Sequence, residues 1–172
     1  ALPPYACDRT VLLVRDPRDM LTSLYFSLAL SHAPPGAGAG GGLVREFHER
    51  RRAVNAMDID TFALSAAGVV AGQYRTMERK LAGIGHRLYR YEDIIFDKAA
   101  WAADMVAYLG LQASTTVVAR AVAAADQRPG VEDPSAHVRK VTPGDHVEKL
   151  KPATIAELNT RLAPVLRAYG YA

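Results

Sequence analysis

Residues 9–19 read RTVLLVRDPRD, and this stretch decides the fold. Arg9 to Arg15, RTVLLVR, is a short apolar run rich in Val and Leu and bounded by charges, the mark of a buried strand. Asp16 is a good helix cap. Pro17 suits the first helical position, where its missing N–H would have no partner anyway. Met20, Leu21, Leu24 and Leu28 then recur at helical spacing, which predicts a helix from Pro17 to Ser31. Strand, tight turn and helix in this order define an α/β unit.

Further along, residues 33–42, APPGAGAGGG, form a loop by composition. Helices are predicted over Leu43–Met57 and, with Asp60 as cap, over Thr61–Ala82, where Gly83 and Gly85 end the run. His86 to Tyr91, HRLYRY, alternates as a second strand. Phe96–Leu109 is an amphipathic helix stopped by Gly110, and Ser114 caps another reaching Asp126. Residues 127–147 read as a long loop, and Lys151-Pro152 opens a last helix ending near Gly170. No repeat and no linker divides the chain, so a single domain over residues 1–172 is expected.

The 172 residues suit about one domain of ~150 residues. With 49% apolar and 23% charged residues, a packed core is expected and wholesale disorder is not. No apolar run is long enough to span a bilayer, so no membrane partner is expected. Cys7 is the only cysteine, which excludes an internal disulfide and a cysteine-rich zinc site and suits a cytoplasmic setting. The net charge of +3 falls short of the dense basic face of a nucleic-acid binder, but it suits a small polyanion held by a few Arg and Lys. Two strands are too few to form a stable sheet core by themselves.

Three clusters can carry chemistry. Arg15 ends the first strand, at the edge where open α/β sheets bind ligands, and Ser23 follows on the next helix. Arg15 can grip a phosphate with two donors and Ser23 can add a hydroxyl, while the plain alternative is a capped helix with a surface ion pair. Arg139-Lys140 lies in the long loop, followed by Gly144-Asp145, and is either a pair that closes on an anion or a solvated basic segment. Tyr91-Glu92-Asp93 ends the second strand, where Tyr91 either meets a base or joins the core and the acids either serve a site or cap a helix.

Together these segments resemble the PAPS-dependent sulfotransferases of the cytosolic type. Val11–Ser27, VLLVRDPRDMLTSLYFS, is similar to their 3′-phosphate-binding segment. Arg90–Leu111, RYEDIIFDKAAWAADMVAYLGL, is similar to their Tyr-Glu-Asp segment and following helix. His137–Asn159, HVRKVTPGDHVEKLKPATIAELN, resembles their Arg-Lys-Gly loop, usually R-K-G-x-x-G-D-W. The order and separation agree, and the likeness runs from Leu2 to Tyr171. It implies a partial P-loop-NTPase-like α/β fold, parallel strands flanked by many helices, corresponding to the carboxyl-terminal two-thirds of the family. The nucleotide PAPS is then the co-substrate and PAP the product. Arg15 and Ser23 match the pair on the 3′-phosphate, Arg139 and Lys140 match the loop residues closing on it, and Tyr91 matches a residue beside the adenine. The reaction implied is transfer of a sulfuryl group from PAPS to a hydroxyl or amine of a small acceptor, with positioning and charge stabilisation supplying most of the catalysis.

Several positions depart from that pattern. The only Gly-rich stretch follows Pro34-Pro35 instead of a strand and has no Lys, Ser or Thr, so Gly36, Gly38 and Gly41 read as a flexible loop. The family's amino-terminal strand and Lys-bearing phosphate loop have no counterpart, and its general-base His would fall at or before Ala1, upstream of Leu2-Pro3. None of the five histidines matches it, so no catalytic residue is assigned, and none has metal-ligand spacing with a carboxylate. Val141 stands in place of the loop Gly, where a β-branched residue resists positive φ, and His146 stands in place of the Trp. No aromatic occurs in residues 121–126.

Three readings follow: a sulfotransferase of which this chain supplies the 3′-phosphate side; a non-catalytic PAP-binding module or inactive remnant; and a helical interaction protein recruiting through Arg45–Arg52. The acceptor is undetermined and a homo-oligomer is open. Absence of the family's first strands implies bare apolar surface. The 172-residue chain is therefore expected to associate in sedimentation and to bind an exposed-hydrophobe dye, and a cooperative, monomeric, dye-silent melt contradicts this.

Overall fold

The computed structural model describes residues 9–36 and 38–172. Expectations placed on Cys7 and Leu2-Pro3 lie outside the described residues. The chain is mixed helix and strand, with a parallel pair of strands and a majority of helix. No described helix is long and apolar enough to cross a membrane. The chain divides into two compact units. The first combines the described part of residues 1–16 with 72–128, and the second combines 17–71 with 129–172.

In the first unit, β1 (Thr10–Val14) pairs in parallel with β2 (His86–Arg90), in the register Thr10↔His86 through Val14↔Arg90. β-Branched and apolar side chains suit β1, and Leu12 and Val14 are buried from it. Tyr89 of β2 meets Trp101 edge-on, centroids 6.2 Å apart, and its hydroxyl donates to Asp104 at 2.6 Å. Both partners belong to the helix Lys98–Leu109. That helix begins where the Asp97 carboxylate accepts from Ala100 N at 3.1 Å, two residues later than the expected start at Phe96. It ends at Gly110, φ +68°, a left-handed turn that a side chain would strain and that would also bring a Cβ within 3.1 Å of the Arg9 guanidinium. Ser114 caps the next helix, Thr115–Ala125, by accepting from Val117 N at 3.3 Å, as expected. Leu13 and Leu88 are 47% and 41% exposed, so both strands carry bare apolar surface, as a two-strand sheet must.

The second unit is helical. In chain order over the whole protein we label the helices α1 (Pro17–Phe26), α2 (Gly41–Asn55), α3 (Ile59–Leu81), α4 (Tyr91–Ile94), α5 (Lys98–Leu109), α6 (Thr115–Ala125), α7 (Asp145–Lys149), α8 (Pro152–Arg161) and α9 (Ala163–Tyr169). α3 contributes to both units, dividing between Ala71 and Gly72. The expected helix from Pro17 to Ser31 keeps its span but changes geometry, because Ser27–Ser31 is π-helical and His32 N donates to Ser27 O at 2.8 Å. Arg51 takes up the carbonyls left over at that end, Leu28 O at 3.1 Å and also His32 O. Ala29, Val54 and Phe62 form a buried cluster here, flanked by Leu24, Tyr25, Leu28, Met57 and Ala66.

Four local expectations are corrected. The cap of α3 is Asp58, which accepts from Thr61 N at 2.7 Å; Asp60 instead accepts from Lys151 N at 2.9 Å. Gly41 and Gly42 lie inside the first turn of α2, so the glycine loop is shorter than its composition suggests. Tyr91 opens the short helix α4 and does not close the strand. The expected last helix is two, α8 and α9, separated at Leu162. Pro164 is the reason: it lacks the N–H that a continuous helix would need there, and it sits in the opening turn of α9, where that loss is harmless.

Tyr74, 1% exposed, donates its hydroxyl to Arg15 O at the carboxyl end of β1. Tyr74→Phe should cost about 1–2 kcal/mol, because it strands that carbonyl. Chemical denaturation of both proteins measures it, and an unchanged midpoint refutes the role.

Candidate functional site

At the carboxyl edge of the sheet, each parallel strand leads straight into a polar turn. Arg15 follows β1 and Tyr91 follows β2, and the Arg15 guanidinium lies 4.7 Å from the centre of the Tyr91 ring. Stacking engages the flat face of the guanidinium, so its hydrogen bonding runs through the in-plane N–H groups. Asp16 N donates to Glu92 Oε1 at 2.9 Å, tying the two strand ends together. Arg90 holds Asp93 through a bond of 2.7 Å. Glu92 and Asp93 lie inside the first turn of α4 and neither caps it; Glu92 instead ties the strand ends and Asp93 pairs with Arg90.

The other cations lie in the second unit, in a ladder of alternating charge. Arg139, 8% exposed, bonds Asp145 through Nη2 and Glu132 through Nη1. Its guanidinium also lies 4.2 Å from the centre of the Phe26 ring. Lys140 Nζ reaches Asp145 Oδ1 at 3.2 Å and Glu148 Oε2 at 2.7 Å. Lys149 Nζ reaches Glu132 Oε2 at 2.9 Å. The bond to Glu148 is the main reason the Lys140 ammonium titrates above its ordinary range. Bonds from Lys149 and then Arg139 hold the Glu132 carboxyl below its ordinary range, against the penalty of burial. The Arg139-Lys140 segment is thus a built, paired cluster and not a solvated basic loop.

A buried carboxylate anchors this loop. Asp19, 0% exposed on α1, accepts from Gly144 N at 2.7 Å and from His146 N at 2.9 Å, and its Oδ1 lies 2.6 Å from His146 Nδ1. Asp19 is an interior partner of His146, which is 6% exposed. Burial raises the carboxyl pKa, but the His146 side chain, the two backbone donors and the His146 charge outweigh it, so the net direction is down.

Two pairs of predicted site residues are therefore assembled, each within one unit: Arg15 with Tyr91, and Arg139 with Lys140 around Asp145. Ser23 belongs to neither pair; it is half-buried on α1, one turn after Asp19. Val141 avoids the strain expected of it, since no described non-glycine residue has positive φ, and Gly144, φ +83°, makes the left-handed turn before α7. Phe26, Glu132 and Glu148 were not singled out from sequence, and Tyr74 was read only as part of the helix Thr61–Ala82. Only Glu148 had a local signal, three residues after Asp145 at helical spacing. The glycine stretch follows the π-helical turn and irregular chain, not a strand. His32 and His48 are exposed, as expected, and flank the Phe47 ring. Among the described residues no group of three His, Cys, Asp or Glu has metal-holding geometry.

No protein-family model, curated protein or solved structure matches the chain.

Asp19→Asn should cost about 3–5 kcal/mol at neutral pH, as loss of a buried charged partner does. Because the native carboxyl pKa is depressed, its stabilisation is complete above the ordinary value of 3.8 and is lost as pH falls through the lower native value. Stability curves of wild type and Asp19→Asn should converge in acid; a constant gap overturns the assignment.

Proposed function

We propose that this chain binds the 3′-phosphate side of an adenosine nucleotide and belongs to a PAPS-dependent sulfotransferase. One observation carries the reading. Arg15 and Tyr91 stack at the carboxyl ends of two parallel strands, the edge at which α/β sheets bind ligands, and they are the residues that the resemblance assigns to the phosphate and the adenine. A partial P-loop-NTPase-like fold is part of the same proposal, since parallel strands each followed by a helix are its building unit.

In this reading PAPS is the donor and PAP the product. The resemblance assigns Arg15 and Ser23 to the phosphate, Tyr91 to the base, and Arg139 and Lys140 to the loop that closes on the phosphate. The acceptor's hydroxyl or amine forms the new bond to sulfur as the bond from sulfur to the nucleotide's phosphate oxygen breaks, and its proton passes to a base. This chain's assigned residues bind and orient the nucleotide, and none is assigned to that proton. A second reading follows from that absence, a nucleotide-binding module without catalysis.

Titration with PAP tests binding. Arg15→Ala and Lys140→Ala should each weaken it by about 2 kcal/mol, the scale of a charge-assisted bond. Absence of saturable PAP binding refutes both readings. Transfer of labelled sulfuryl from PAPS by the chain eliminates the second reading.

A further inference from the structure

We propose that Glu132 and Glu148 mask the phosphate-binding cations, each occupying a donor that an incoming phosphate needs, so that the anion enters by displacing carboxylates. The proposal rests on the nucleotide reading above and deepens it.

Each cation has one fixed and one exchangeable partner. Asp145 is fixed: its side chain is 2% exposed and it serves both Arg139 and Lys140. Removing a carboxylate from a buried guanidinium leaves that charge uncompensated, so Asp145 stays in place. Glu148 is 60% exposed where it meets Lys140, and an ion pair that open to water contributes little and is released easily. Glu132 is 23% exposed and is shared between Arg139 and Lys149, so neither cation holds it alone and it too can be released. Phe26 supports the cation through the exchange, with the guanidinium 4.2 Å and the Lys149 ammonium 5.9 Å from its ring centre.

The charges match. Three cations, Arg139, Lys140 and Lys149, face three carboxylates, Glu132, Asp145 and Glu148. A terminal phosphate carries about −2 at neutral pH, the sum of the two carboxylates that it replaces. Exchange therefore leaves the cluster near neutrality, with Asp145 still holding the loop. Masking also predicts selectivity, because a singly charged anion cannot replace both carboxylates.

Calorimetric titration of PAP into the full chain tests this, using wild type, Glu132→Gln, Glu148→Gln, Lys140→Ala and Glu157→Gln. Glu157 pairs with Arg161 on α8 and controls for the change in net charge. Glu148→Gln and Glu132→Gln should each tighten PAP about two- to fivefold, the scale of a partly exposed ion pair, and Glu157→Gln should leave it unchanged. If Lys140→Ala weakens PAP while neither glutamine variant tightens it, the masking proposal falls and the nucleotide reading stands. Equal tightening by Glu157→Gln overturns masking in favour of overall charge. If no protein of the series binds PAP, both fall together.

Discussion

The second unit depends on one buried carboxylate. Asp19 sits on α1 and binds two backbone N–H groups and an imidazole from a segment more than a hundred residues away in sequence. A carboxylate with no solvent is expensive unless its lone pairs are met, and here three donors meet them. The consequence is positional. The turn at Gly144 and the start of α7 are fixed, and Asp145, next in the chain, is thereby fixed beneath Arg139 and Lys140. The arrangement of the charged ladder follows from this anchor, since neither cation could keep its place if its shared counter-ion were mobile.

The two clusters represent different ways of holding a cation ready. At the sheet edge, Arg15 is stacked on an aromatic ring, and the neighbouring backbone is fixed by Tyr74 and Glu92. In the loop, Arg139 and Lys140 are held by carboxylates. Stacking orients a guanidinium without neutralising it, whereas carboxylates orient and neutralise together. The second cluster is close to a balanced salt, whose response to an anion depends on which partner lets go.

Local chemistry was legible in the sequence and distant chemistry was not. TVLLV announced β1, Ser114 and Gly110 announced a helix start and a helix stop, and Asp16-Pro17 announced the turn into α1. Asp58 and Asp60 mark the boundary of that legibility. Both suit a cap by residue type, and the choice was made by Lys151, whose N–H draws Asp60 away. Asp19 and His146 have no shared sequence pattern, because their bond closes a loop of 127 residues. Glu132 was unreadable for the same reason: an acid in an irregular segment reveals its partner only once the loop is folded. The site residues named from resemblance were found in ordered surroundings, but the acids that hold two of them came only from coordinates.

The π-helical turn at Ser27–Ser31 closes the helix that α1 begins, and His32 follows it in extended conformation. A π turn accommodates an extra residue, and each residue of an α-helix advances the face by about 100°. Ala29, inside this turn, is buried in a cluster with Val54 and Phe62. Shortening this segment by one residue would restore ordinary helix and rotate its small, inward-facing alanine out of the cluster, bringing a bulkier neighbour toward a gap shaped for a methyl group. Chain length at this one turn is thus under the same packing constraint as side-chain identity in the cluster it faces.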